Sequence, residues 1–433
     1  MDPLILALLG CCAMMLLIVL HVPIGISMAL VGMTGFAQVV GWGPALSLMA
    51  SEPASAMGSL DLAVIPLFML MGSLAAASGL ATDVYDMAGA LFGHRRGGLA
   101  TTTVLASAGF GAICGSGVAT TATFGRVAMP EMLSRGYHPS LASGAIAAGG
   151  TLGIIVPPSA MMILYSVLTE QSVLSLFTAA IIPALLAVVF YAIAVQITAI
   201  RHPDHAPRSD KMPLRDRLAA IGRAWGVILL AVVVLGGIYS GIFTVNEAAA
   251  IGVVIAFIFA LLRRRLSRAT FLRVMAEASG STAMIYIMVF GATIFSYFIS
   301  VTGGASFLVG AISGAGLHPL VVIFGILLLY ILLGAFFDEV AAMVITLPFV
   351  IPVIQGMGYD LVWWGIINVV VIGIGMISPP IGINVMLLNS MHRDIPITTI
   401  YRGIVPFLIA DLVRLTVLVL FPSLTLWLPS VLG

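Results

Sequence analysis

Two short runs in this chain offer backbone chemistry. Gly153-Ile154-Ile155-Val156-Pro157-Pro158 and Gly375-Met376-Ile377-Ser378-Pro379-Pro380 share one spacing inside apolar surroundings. A proline donates no amide hydrogen and clashes with the turn before it, so a proline pair frees the carbonyls just upstream. Freed carbonyls suit a hard cation such as sodium. Each run follows a glycine break in another apolar stretch, Gly115-Ser116-Gly117 in the first case and Gly334 to Glu339 in the second. Helix N-termini at such breaks suit an anion. Asp338 is costly at membrane depth and so functional by default, through substrate hydroxyls or an ion. The alternatives are a structural acid bonded to the tip amides, and prolines that only kink two helices.

Other chemistry lacks its residues. An intramembrane enzyme needs a nucleophile with a base, or metal ligands, and there is no His-Glu-x-x-His run among seven scattered histidines. Cys11, Cys12 and Cys114 have no metal-ligand or disulfide spacing. Asp411 and Arg414, one turn apart, read as a structural pair. Glu247 follows Thr244 in a Thr-x-x-Glu capping box, and Glu131 is expected at an interface. No organic cofactor and no nucleic-acid partner are expected.

The elements that position these residues are membrane spans. Apolar residues make up 61% and charged residues 8%, and the mean hydropathy is +1.19, which excludes a soluble domain of this length. Stretches near ~20 apolar residues recur, the length that crosses a bilayer core. The chain turns apolar at Leu4 without a basic region before it, so the first segment reads as a retained span. Spans are expected at 3–20, 23–40 and 63–80, with an acidic loop at 41–61. Arg95-Arg96 marks the cytoplasmic side, which puts that loop and both termini in the periplasm. A crossing at 97–125 would leave Arg126 and Arg135 outside, against that rule. A re-entrant hairpin over 97–135 resolves this, the alternative being one long span with mobile glycines.

Residues 139–169 then cross with a break at Pro157-Pro158, and 174–200 return. Residues 201–220 form a polar cytoplasmic linker holding the only lysine, Lys211. In the second half, 221–241, 247–262 and 279–300 are spans, with an interfacial amphipathic helix at 266–277. Residues 319–355 form a second hairpin, entering from the other side, and 361–391 a second broken helix. The span at 398–420 and a tail at 421–433 complete the chain. On this topology every basic residue is cytoplasmic except Arg414. The organisation is therefore N-terminal scaffold spans at 1–62, a first repeat at 63–200, the linker, and an inverted second repeat at 221–420. Inverted repeats with discontinuous helices are the architecture of secondary transporters, whose sites lie where the repeats meet. The fold class is an all-α polytopic membrane protein with two re-entrant hairpins and two broken helices.

The chain resembles the large membrane subunit of the tripartite ATP-independent periplasmic transporters, the DctM family within the ion-transporter superfamily. The runs that carry the resemblance extend over nearly the whole length. They include Ile65-Pro66-Leu67-Phe68, Gly97-Gly98-Leu99-Ala100, Gly115-Ser116-Gly117-Val118-Ala119-Thr120, Pro130-Glu131-Met132, Ile155-Val156-Pro157-Pro158-Ser159, Phe337-Asp338 and Ser378-Pro379-Pro380-Ile381-Gly382.

The resemblance implies an elevator mechanism, sodium-coupled uptake of an organic acid such as a dicarboxylate or a sialic acid, and residence in the bacterial inner membrane. It implies two partners, a soluble periplasmic binding protein and a separate small four-helix membrane subunit. One sodium site would use Ser116, Gly153, Val156 and Pro157. The other would use Gly334, Gly375, Ser378 and Ile381. Ser116, Thr120, Thr121, Asp338 and Asn384 are the polar groups expected to face substrate. The chain departs from the family at Cys114, where serine is common, and at Ser378, where threonine is common. A standalone carboxylate or drug transporter of the same superfamily is the competing expectation. Dependence on a binding protein separates the two.

Overall fold

A computed structural model describes residues 2–208 and 212–432; Lys211 lies outside the described residues. Among the described residues there are helices and no strands. The first five helices are α1 (Pro3–Val19), α2 (Ile24–Val40), α3 (Trp42–Gly58), α4 (Leu60–Ser78) and α5 (Leu80–Phe92). The expected loop at 41–61 is thus mostly α3, which starts after Gly41, whose φ of +105° ends α2. Glu52 of α3 accepts a hydrogen bond from Tyr297 Oη (3.4 Å), so this segment sits away from the arginine-rich end.

The first hairpin is α6 (Gly98–Cys114) and α7 (Gly117–Ser134). Its two ends lie together, since Leu99 N donates to Tyr137 Oη at 3.1 Å. The broken helix that follows is α8 (Pro139–Ile155) and α9 (Ala160–Thr169), bent by 41°. Then come α10 (Val173–Arg201), α11 (Leu214–Arg223), α12 (Trp225–Tyr239) and α13 (Val245–Leu262). Part of the expected linker is therefore helical. The α11 stretch carries polar residues on one face and packs its other face on α5. The Thr244 capping box forms as expected: Glu247 Oε2 accepts from Thr244 N at 2.8 Å, and Thr244 Oγ1 accepts from Glu247 N at 3.3 Å.

The separate interfacial helix expected at 266–277 does not exist. It is the first third of α14 (Arg268–Val301), 34 residues long and so about 51 Å. No proline interrupts the polar stretch from Arg273 to Ser281. Those polar groups line a cavity, so the helix continues through them. After α15 (Gly304–Gly314), the second hairpin is α16 (Pro319–Phe336) and α17 (Glu339–Gly356). The second broken helix is α18 (Leu361–Ile377) and α19 (Ile383–Met391). The chain ends with α20 (Ile397–Leu420) and α21 (Ser423–Leu432), so the expected tail is also helical.

Burial shows what is central. Every residue of α18 from Trp363 to Ile377 and every residue of α8 from Ser140 to Ile155 is buried. Around this centre, glycines let backbones touch in the way that replaces hydrophobic drive inside a bilayer. A Cβ on Gly25 of α2 would lie 2.5 Å from the Ile287 carbonyl of α14, and one on Gly32 would lie 2.8 Å from Phe295 Cα. Long apolar helices such as α10, α13, α14 and α20 make this a multi-pass membrane protein. Near the middle, Asp411 and Arg414 of α20 pair at 2.7 Å, and Tyr191 Oη donates to Asp411 Oδ2 at 2.5 Å. The Tyr191 bond ties α20 to α10.

Candidate functional site

Each hairpin tip is a helix start pinned to the break in its own repeat. Ser116 caps α7, its Oγ accepting from Ala119 N at 3.5 Å. The preceding Gly115 adopts φ +65°, a left-handed turn suited to glycine, and its carbonyl accepts from Ala160 N at 3.3 Å. Ala160 opens the half-helix beyond Pro157-Pro158. The second repeat makes the matching bond, Gly382 N to the Ala335 carbonyl at 3.2 Å. Glycine pairs seat the hairpin arms. A Cβ on Gly111 would lie 2.8 Å from Gly153 Cα, and one on Gly375 would lie 2.6 Å from Gly334 Cα.

The two tips meet each other. Ser116 Oγ donates to Glu339 Oε1 at 3.5 Å, and a Cβ on Gly117 would come within 3.2 Å of Glu339 Oε2. Glu339 was not among the residues expected at the site. In the sequence it reads as a first-turn acid satisfying a helix N-terminus. The signal that marks it is the same one that marks Asp338, a carboxylate at the turn of a re-entrant segment. Asp338 itself is the N-cap of α17. Its Oδ1 accepts from Val340 N at 3.0 Å and Ala341 N at 2.9 Å, the tip-amide arrangement.

Of the groups expected at the first cation site, Gly153 and Ser116 come together. Pro157 and Pro158 leave the Gly153 and Ile154 carbonyls without their helical donors. Ser159 Oγ donates to Ile154 O at 2.5 Å, so the Gly153 carbonyl is the one left over. A Cβ on Gly153 would lie only 2.7 Å from the Ser116 carbonyl, so this break abuts the tip backbone. Val156 is extended where α8 ends, and Pro157 follows it.

The second break is built differently. Ser378 N donates to the Gly375 carbonyl at 3.0 Å, and Ser378 Oγ donates to Ile374 O at 2.7 Å. Tyr401 Oη donates to the carbonyls of Pro380 and Ile381 at 2.7 and 2.9 Å. Gly334, Gly375 and Ser378 therefore come together, whereas the Ile381 carbonyl is engaged by α20.

The expected substrate-facing groups divide in the same way. Thr120, Thr121 and Asn384 are fully buried between helices. Thr120 and Thr121 donate back to the carbonyls of Ser116 (2.8 Å) and Gly117 (3.0 Å), a local bond available to any helical threonine. Asn384 Nδ2 donates to the Ala147 carbonyl at 3.2 Å. Ser116 alone of the five lines the neighbouring cavity.

That cavity holds about 600 Å³ and runs from Cys114 and Ser116 along α7, α4 and α14 to exposed Arg126, Arg265 and Arg273. Glu277 is the one carboxylate lining it, 4.0 Å from Arg273. The net field of the cavity is positive and favours an anion. A second cavity of about 400 Å³ lies near the far end of α14, between Tyr297, Glu170 and Pro348. Along α14 the two are separated by the rise from Ser281 to Val289, about 12 Å. The α7 arm of the first hairpin lines the former cavity, and the α17 arm of the second lines the latter.

The family described as the tripartite ATP-independent periplasmic transporter, DctM component, matches residues 11–424. The chain belongs to the DctM family.

A C4-dicarboxylate TRAP transporter large permease protein of Pseudomonas aeruginosa is 34% identical over 374 residues, covering 86% of this chain and 87% of that protein. A sialic acid TRAP transporter large permease protein of Vibrio cholerae is 29% identical over 409 residues, covering 94% and 95%. This DctM chain is therefore a transporter subunit and not an enzyme. Its fold is shared with the YdaH transporter of Alcanivorax borkumensis, at a TM-score of 0.59 and 16% identity, over 88% of this chain and 89% of that one. Neisseria gonorrhoeae MtrF, from a class of antimetabolite efflux pumps, shares the fold at a TM-score of 0.56 and 13% identity, over 87% and 84%.

Proposed function

We propose that this DctM chain carries an organic acid across the bacterial inner membrane, coupled to sodium and supplied by a periplasmic binding protein. The observation that carries the reading is the cavity ending at Ser116. It joins the meeting point of both hairpin tips to a vestibule of three arginines, as an organic anion requires. Placing the arginine-rich end in the cytoplasm follows the positive-inside rule, and this cavity is then the inward one.

The Gly153 carbonyl, freed by Pro157-Pro158, and the Ser116 hydroxyl are the oxygen donors best placed for a coupling sodium ion. Gly334, Gly375 and Ser378 make the second group. The Glu339 carboxyl group beside Ser116 offers a further oxygen where a cation would need it. The substrate class follows relatives that take C4-dicarboxylates and sialic acid. An elevator step would move the hairpins and broken helices as one body past α2 and α14. The tight glycine contacts within each of these groups favour that division. A small membrane subunit would complete the assembly.

The test is reconstitution in liposomes together with the small subunit, measuring uptake of a dicarboxylate. Uptake should need both a sodium gradient and the binding protein, and Ser116→Ala should abolish it while leaving assembly intact. Undiminished uptake without sodium and without binding protein would refute the proposal and favour a standalone carrier.

A further inference from the structure

A groove outside the transport site lies between the C-terminal end of α10 and the N-terminal part of α20, with a volume of about 660 Å³. Its head is basic and polar. Arg201 ends α10, Arg402 stands in the second turn of α20, and both are exposed. Among the described residues neither has a carboxylate within ion-pair distance, and no carboxylate lines the groove. Its body is apolar, walled by Ile197, Val405 and Ile409, which are 45%, 50% and 57% exposed on the outer surface of two apolar helices long enough to span a membrane.

The head is built, not merely crowded. The rings of His138 and His205 stack at 4.0 Å, and His205 stacks on His202 at 5.0 Å. His138 N donates to the His205 carbonyl at 3.2 Å, and the His138 ring Nδ1 accepts from Ser140 N at 3.2 Å. These contacts fix the turn after α10 against the start of α8. The N-terminus of α20 carries no side-chain cap, so its first amides add positive potential at the same end. The floor is sealed because Gly403 lies directly on the Ser140 carbonyl.

We propose that this groove binds one anionic phospholipid of the phosphatidylglycerol type. The phosphate sits between Arg201 and Arg402, and the upper acyl chain lies along Ile197, Val405 and Ile409. Charge complementarity selects the headgroup, and continuity with this outer apolar surface selects a lipid over a soluble anion. Basic pockets between membrane helices at the positive side hold anionic headgroups by the same physics. A headgroup there would bridge α10 and α20, the two helices already joined by Asp411 and Tyr191.

The experiment uses the full chain, purified, exchanged into a phosphatidylcholine environment, and titrated with phosphatidylglycerol under native mass spectrometry. One phosphatidylglycerol should be retained per chain in preference to phosphatidylcholine. The doubly substituted Arg201→Gln/Arg402→Gln chain should retain it roughly ten- to thirty-fold more weakly. Arg393→Gln, at an exposed arginine outside the groove, should change nothing, and Val405→Trp, which fills the wall, should weaken retention without altering charge.

Equal retention by the wild type and the doubly substituted chain would overturn the proposal. So would full displacement of the lipid by millimolar inorganic phosphate, which would mark a free-anion site. Cross-linking of Val405→Cys to the small subunit in membranes would overturn it in favour of a protein contact.

Discussion

Replacing Gly153 by alanine tests the first cation site with the least chemical change. The added methyl carbon would stand 2.7 Å from the Ser116 carbonyl oxygen and 2.5 Å from Thr120 Oγ1, where ordinary contact begins at 3.4 Å. Relief requires the hairpin tip to retreat by roughly 0.7–0.9 Å or α8 to shift, and a well-packed interior charges about 1–3 kcal/mol for such an insertion. Neither neighbour is a free side-chain end, since Thr120 Oγ1 is bonded to the same Ser116 carbonyl at 2.8 Å. The strain therefore falls on the oxygen donors themselves.

If sodium binds between Gly153 and Ser116, a loss of 1–3 kcal/mol appears as a sodium half-saturation raised roughly 5- to 150-fold. The assay is sodium-dependent uptake in liposomes, with thermal unfolding in detergent measured in parallel. Gly310→Ala, where nothing lies within 4 Å of the new carbon, serves as the control and should gain about 0.5–1 kcal/mol of helix stability. Wild-type sodium dependence and an unchanged melting temperature in Gly153→Ala would refute the close approach on which the site rests.

Three further outcomes are expected. Asp411→Asn should cost about 3–5 kcal/mol by stranding the buried Arg414 guanidinium, and Asp411→Leu with Arg414→Met should recover most of it; a melt showing no loss in the single variant would contradict the buried pair. Arg126→Gln with Arg273→Gln should raise the half-saturation for an organic anion entering from the arginine-rich end about two- to five-fold, less at high salt, in counterflow assays. Burial, with His138 and His202 beside it, holds the His205 imidazole below its usual range, against a smaller opposing pull from Asp204. A group with a lowered folded-state pKa adds stability above about pH 6.5 that is lost as pH falls through the folded value. Melting temperature should therefore drop on acidification, and His205→Gln should flatten part of that drop.

Sequence and structure divide the site in a physically intelligible way. The hairpins and both breaks were legible because prolines and glycines act locally: a missing amide or a left-handed turn needs no tertiary context. Thr120, Thr121 and Asn384 looked like site groups because polar residues near a break are conspicuous. Whether a polar side chain turns to a cavity or to the carbonyl of its own or a neighbouring helix depends on packing, and here all three turned inward. In the sequence Arg126 marks topology, and only the folded chain shows it lining one cavity with Arg265, Arg273 and Ser116.

By itself, then, the chain determined an apolar, helical membrane protein with two broken repeats, since composition, span length and proline spacing are local properties. The register between repeats belonged to the tertiary structure. Glu339 meets Ser116 across 223 residues of sequence, and the continuous helix α14 carries polar residues because a cavity lies beside them. Contacts of that range follow from how α8 and α18 bury each other at the centre, which no single segment encodes.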